Sequence, residues 1–144
     1  TLQALPHRLQ PVHEQGGVRW VNDSKATNVD AALTGISGIE DPMVVLLGGA
    51  GKPGADYDRL RNALQTQARA VICFGAAGPE IAKALHGLPI HHASSLAEAV
   101  HTAAGLAQDS EVVLLSPACA SFDEFTDFED RGRAFSALAR EIQA

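Results

Sequence analysis

Asn22-Asp23-Ser24-Lys25-Ala26-Thr27-Asn28 sets six polar side chains into seven positions directly after Trp20-Val21. Thr27 or Asn28 would cap a following helix by accepting from a first-turn amide, which accounts for one or two of the six. Asp23 and Lys25 need another reason. A carboxylate accepts hydrogen bonds from ribose hydroxyls, and a lysine near a helix start balances phosphate or carboxylate charge. The pair therefore suits a nucleotide or an acidic substrate.

Three further segments carry unusual composition. Gly48-Gly49-Ala50-Gly51-Lys52-Pro53 resembles a phosphate loop, but Leu46 and Pro53 stand where that motif needs a glycine and a magnesium-binding hydroxyl. Its glycines still allow close backbone approach, and Lys52 offers a cation to a carboxylate or phosphate. Gly75-Ala76-Ala77-Gly78 reads as a tight turn. The segment 116–125, Ser-Pro-Ala-Cys-Ala-Ser-Phe-Asp-Glu-Phe, brings hydroxyls and backbone N–H groups suited to an anion. No base accompanies Cys119 in sequence, so a small buried thiol is expected rather than a nucleophile. The six histidines are scattered, and His91-His92 lacks metal-ligand spacing.

Each of these segments follows an apolar run that would position it. Residues 18–21, 43–47, 70–74 and 112–115 are rich in Val, Ile and Leu without polar alternation. That is the pattern of strands covered on both faces in a parallel sheet. Helical patterns lie between them: Leu60 and Leu64 after Asp56, Ile81 and Leu85 after Pro79. Ser95 with Glu98 forms a capping box ahead of Leu96, Val100, Ala103 and Ala107. Phe128, Phe135, Leu138 and Ile142 trace a stripe that leaves Arg133, Arg140 and Glu141 to solvent. Residues 89–92 add a minor strand, and 11–14 pair antiparallel at the start. The fold class is α/β, an open, mostly parallel, Rossmann-like sheet with helices on both faces. The carboxyl ends of parallel strands face one way, so the four polar segments should gather along one edge, where such folds bind ligands.

With 144 residues, 46% hydrophobic and 19% charged, the chain has room for one domain, 1–144, entered through a connector over residues 1–8. The formal charge of −6 has the wrong sign for nucleic acid. No apolar stretch approaches the roughly 20 residues of a membrane helix. Two cysteines cannot make a disulfide framework, which favours the cytoplasm. The chain starts at Thr1 and is expected to be a piece of something larger, acting as a monomer.

Taken together, Leu5-Pro6-His7-Arg8, residues 22–28, 46–52, Cys73-Phe74-Gly75 and 114–132 resemble the C-terminal domain of a Mur ligase, in the branch that adds D-glutamate during peptidoglycan synthesis. Segments 22–28 and 116–121 set this branch apart from sibling Mur ligases and from folylpolyglutamate synthetases of the same fold. The resemblance implies a three-domain enzyme that uses ATP and Mg2+ to activate UDP-N-acetylmuramoyl-L-alanine as an acyl phosphate. The amine of D-glutamate then attacks, giving an amide, ADP and phosphate. It further implies that the N-terminal and central domains carry the Walker loop, the magnesium ligands and a carbamylated lysine, leaving no catalytic residue here and the fragment inactive alone. Arg8 and Lys25 would meet nucleotide phosphates and Asp23 the ribose. Thr27 and Lys52 would hold the α-carboxylate of D-glutamate, Ser121 and the Phe128 N–H its side-chain carboxylate. The competing reading is a self-standing α/β module that binds a nucleotide or acidic metabolite without catalysis.

Overall fold

A computed structural model describes residues 6–142. Of the connector expected over 1–8, residues 1–5 lie outside the described residues. The six strands are β1 (Gln10–Gln15), β2 (Val18–Asn22), β3 (Met43–Gly48), β4 (Ala68–Phe74), β5 (Ile90–Ala93) and β6 (Val112–Leu115). The helices are α1 (Val29–Ser37), α2 (Arg61–Gln67, after a 3₁₀ turn over Tyr57–Leu60), α3 (Gly78–Ala84), α4 (Leu96–Leu106) and α5 (Phe128–Arg140). The strands lie in the order β1-β2-β6-β3-β4-β5, with only the β1–β2 pair antiparallel.

The apolar runs behave as two-faced strands. On β3, Met43, Val45 and Leu47 join one core with Ile36, Leu64 and Ile81 from α1, α2 and α3. Val44 and Leu46 join the other with Val100, Ala103, Phe135 and Ala139 from α4 and α5. β6 divides the same way, Val112 and Leu114 against Val113 and Leu115. Each buried Val, Leu or Ile contributes about 1.5–3 kcal/mol, so the central strands hold the sheet wherever the loops go.

Local signals hold with two differences. Asn28 is the N-cap of α1, its side chain accepting from the Ala31 amide. Ser95 accepts from Glu98 N as expected, but the Glu98 carboxylate turns to Ser94 Oγ at 2.6 Å, so half of the capping box forms. The next amide, Leu96 N, donates to Glu124, at 3.2 Å to each oxygen. Ala107 does not continue the α4 face: its extended backbone (φ −67°, ψ 140°) ends the helix there.

At the far edge of the sheet, buried Glu111 accepts from Arg69 through both carboxylate oxygens and from the Gln108 amide at 2.7 Å. These donors, Arg69 foremost, hold its carboxyl below the ordinary value of 4.5 against the opposing effect of burial. A depressed carboxylate stabilises the fold above its unfolded pKa, and that stability is lost as pH falls through the folded value. Glu111→Gln is therefore expected to cost about 1.5–3 kcal/mol near neutrality, the worth of hydrogen bonds to a charged group. In thermal unfolding followed against pH, its gap from wild type should close as pH falls below about 4.5. A gap that stays constant would show that charge plays no part.

Candidate substrate site at the carboxyl edge of the sheet

The four polar segments meet at one edge and satisfy one another's backbone. Asp23 N donates to Leu115 O at 2.8 Å, Ala118 N to Ala26 O at 2.9 Å, Gly48 N to Pro117 O at 3.0 Å and Ala77 N to Gly49 O at 2.8 Å. Such closeness dictates residue type. Gly48 and Gly49 have φ of +158° and +134°, and an added Cβ would lie 2.0 Å from Phe74 O and 2.4 Å from Ala120 O. Backbone cannot yield to that, so the loop must begin Gly-Gly. Ala118 takes a left-handed φ of 64° without being glycine, a strained turn held by its bonded neighbours in the loop that carries Cys119 and Ser121.

Two of the cavities on this edge are lined by residues expected to bind ligand. The larger, about 550 Å3, is lined by Thr27, Lys52, Arg59, Cys119, Ala120 and Phe122 among others. Phe122 is 72% exposed at its rim. Ser121 lies in the chain between two lining residues, is buried, and has the one buried side-chain polar atom without a partner among the described residues. Phe128 opens α5, where the first-turn amides have no acceptor within the helix. Its carbonyl accepts from Ser24 Oγ at 2.7 Å, and its ring lies beneath Lys25 Nζ at 5.8 Å and edge-on to His7.

The smaller cavity, about 310 Å3, brings together Arg8, Asp23 and Lys25 with Thr34 and Gly35. Asp23 is buried, accepting from Ser116 Oγ at 2.7 Å and from Leu9 N at 3.1 Å. Burial pushes its carboxyl up from 3.8, with Ser116, Leu9 and Arg8 opposing. The end of the connector is fastened here. His7 O accepts from Lys25 N at 2.9 Å and His7 Nδ1 pairs with Asn22 Nδ2 at 2.9 Å, while His7 and Leu9 take left-handed φ values of 64° and 44°.

The site contains two residues that the sequence reading did not single out. Tyr57 is buried with its hydroxyl 3.5 Å from Cys119 Sγ, joining the 3₁₀ turn to the Cys119 loop. Arg131, 1% exposed, donates to Ser24 Oγ, Ser24 O and Cys119 O. A signal for it existed: Arg131 stands three residues after Phe128 and four before Phe135, on the apolar stripe. Burial lowers its guanidinium to about 10, still protonated at neutral pH. Among the described residues no group of three His, Cys, Asp or Glu side chains could hold a metal ion, and no helix is long and apolar enough to cross a membrane.

Residues 7–119 match the family described as Mur ligase, glutamate ligase domain. The chain belongs to this Mur ligase family. It is 44% identical to the UDP-N-acetylmuramoylalanine--D-glutamate ligase of Methylococcus capsulatus over 99% of its own length and 31% of that protein's. Against the ligase of the same name from Nitrosococcus oceani the figures are 47%, 96% and 31%. The chain thus spans about a third of the length of the curated relatives it matches. Among solved structures, the MurF ligase of Thermotoga maritima in complex with ADP superposes with a TM-score of 0.67 at 18% identity, covering 98% of this chain and 33% of that one. The fold of the Mur ligase glutamate ligase domain is therefore shared where sequence has largely diverged.

Within this Mur ligase domain the cysteines are not poised as nucleophiles. Cys73 and Cys119 are buried, and burial pushes the Cys73 thiol up to about 12 and raises that of Cys119 as well. The native chain is expected to leave both thiols unmodified by a thiol-exchange reagent at neutral pH and to yield both after denaturation. Rapid native modification of Cys119 would restore the nucleophile reading.

Proposed function

We propose that this chain is the amino-acid-binding domain of an ATP-dependent ligase that adds D-glutamate to UDP-N-acetylmuramoyl-L-alanine in peptidoglycan synthesis. The observation that carries the reading is Ser121. A buried hydroxyl with no partner in the protein costs stability, and a ligand oxygen arriving beside the Thr27 and Lys52 cavity would satisfy it. Relatives named as D-glutamate ligases, covering nearly the whole chain, support the choice of amino acid.

On this reading Lys52 and Thr27 hold the α-carboxylate, with the ammonium of Lys52 as the charge partner. Ser121 Oγ and the N–H of Phe128 take the side-chain carboxylate, the latter adding the positive end of α5. Arg8 and Lys25 meet nucleotide phosphates, and Asp23 accepts from ribose through the oxygen capacity that Ser116 and Leu9 leave free. ATP, with Mg2+ held mainly by domains outside this chain, supplies the phosphoryl group that activates the acceptor carboxylate. The domain contributes placement: fixing the amine at attack distance from an activated carbonyl is worth on the order of 7 kcal/mol or more. The enzyme acts as a cytoplasmic monomer, and this portion alone lacks turnover.

The test is D-glutamate-dependent phosphate release by the full-length enzyme. Lys52→Ala should raise the KM for D-glutamate by about ten- to a hundredfold, since a charge-assisted hydrogen bond is worth roughly 1.5–3 kcal/mol. The KM for ATP should hardly move. Ser121→Ala should also raise the D-glutamate KM while leaving the unfolding midpoint unchanged or higher, because its hydroxyl has no internal partner to lose. Equal effects on both KM values, or a wild-type enzyme that ignores D-glutamate, would reject the reading.

A further inference from the structure

Besides the backbone bond from Ala118 N to Ala26 O, one buried side chain connects the two cavities. Arg131 sends Nε to Ser24 Oγ at 2.9 Å and Nη2 to Ser24 O at 2.8 Å, while Nη1 reaches Cys119 O at 2.9 Å. Ser24 stands between Asp23 and Lys25, which line the smaller cavity. Cys119 lines the larger one and precedes Ser121 by two residues. The same Ser24 hydroxyl donates to Phe128 O at 2.7 Å, tying the first residue of α5 to the junction.

We propose that Arg131 is a positioning residue that couples the two subsites, so that ordering the Ser24 segment by a nucleotide also sets the Cys119–Ser121 segment for the amino acid. Three acceptors on two loops more than 90 residues apart are gathered by one planar fork. A lysine carries the charge but cannot reproduce that geometry. Arg131 is in none of the ion pairs formed among the described residues. Asp123 and Glu124, on the same loop as Ser121, balance its charge only at longer range. Charge neutralisation is thus not what holds it: its direct partners are the serine hydroxyl and backbone carbonyls of the two segments that line the cavities. The coupling is reciprocal in binding free energy, as linkage requires.

The proposal rests on the ligase reading above, and its test uses the full-length enzyme. The KM for D-glutamate is measured at low and at saturating ATP in wild type, Arg131→Lys and Ser24→Ala. Wild type should show a D-glutamate KM that falls severalfold as ATP rises. Arg131→Lys should raise that KM about tenfold and abolish its dependence on ATP. Ser24→Ala, which keeps the Cys119 contact and removes one acceptor, should weaken the dependence by a smaller factor and carries the test if Arg131→Lys does not fold. A merely structural arginine would lower the unfolding midpoint while leaving the dependence intact, and that result overturns the proposal. So does a wild-type KM indifferent to ATP. Absence of any D-glutamate-dependent turnover by the wild-type enzyme overturns the ligase reading and this inference with it.

Discussion

At the carboxyl edge of a parallel sheet each strand releases backbone donors and acceptors that the sheet no longer pairs. Burying them unpaired would cost more than most side-chain contacts return. Here the loops after β2, β3, β4 and β6 meet that constraint by bonding to one another, through pairs such as Ala118 with Ala26, Gly48 with Pro117 and Ala77 with Gly49. The loops consequently fold as one assembly. Their side chains inherit fixed positions from a backbone already spent on neighbours, and the Gly-Gly start of the β3 loop is the steric condition for that closeness.

Charge is arranged against the composition. A chain with a net charge of −6 places Arg8, Lys25, Lys52 and Arg59 around two cavities and buries Arg131 beneath them. The acids nearby are put to internal use: Asp23 fastens Leu9 and Ser116, and Glu124 caps α4. Burial raises the pKa of both carboxyls, the expense of placing acids where they organise backbone. Asp30 and Asp56 also line the larger cavity and Arg59 is paired with Asp30, which leaves Arg8, Lys25 and Lys52 as the lining cations in no ion pair among the described residues, suited to an anionic ligand even on an acidic protein.

The proposed function asks this Mur ligase domain to act by placement, and the site geometry fits that role. The described residues offer no activated nucleophile, since burial raises both thiols. What they offer is a set of mutually bonded loops in which Ser121 Oγ has no partner and a buried guanidinium ties together segments that line two cavities. On the proposed function, the reactive group would come from outside this chain, which spans about a third of the length of its relatives.

Sequence alone determined the class of fold, because short unbroken Val/Ile/Leu runs alternating with helical patterns fit strands covered on both faces by helices. It also determined which segments lie at the strand ends and the antiparallel start, where residues 11–14 extend to Gln10–Gln15, and it narrowed the α1 cap to Thr27 or Asn28, of which the structure takes Asn28. The family resemblance added the roles of single residues, which spacing could not supply. Tertiary structure decided the rest. That Thr27 and Lys52 share one cavity while Asp23 and Lys25 share another follows from β6 inserting between β2 and β3, a pairing of strands distant in sequence that no local pattern encodes. The Glu98 half of the capping box was lost to Ser94, while Glu124 from a distant loop took the adjacent Leu96 amide. An arginine on a helix ordinarily points to solvent, so residue type alone does not mark Arg131 as buried. Only the acceptors brought by Ser24 and Cys119, 107 and 12 residues away, make its burial affordable.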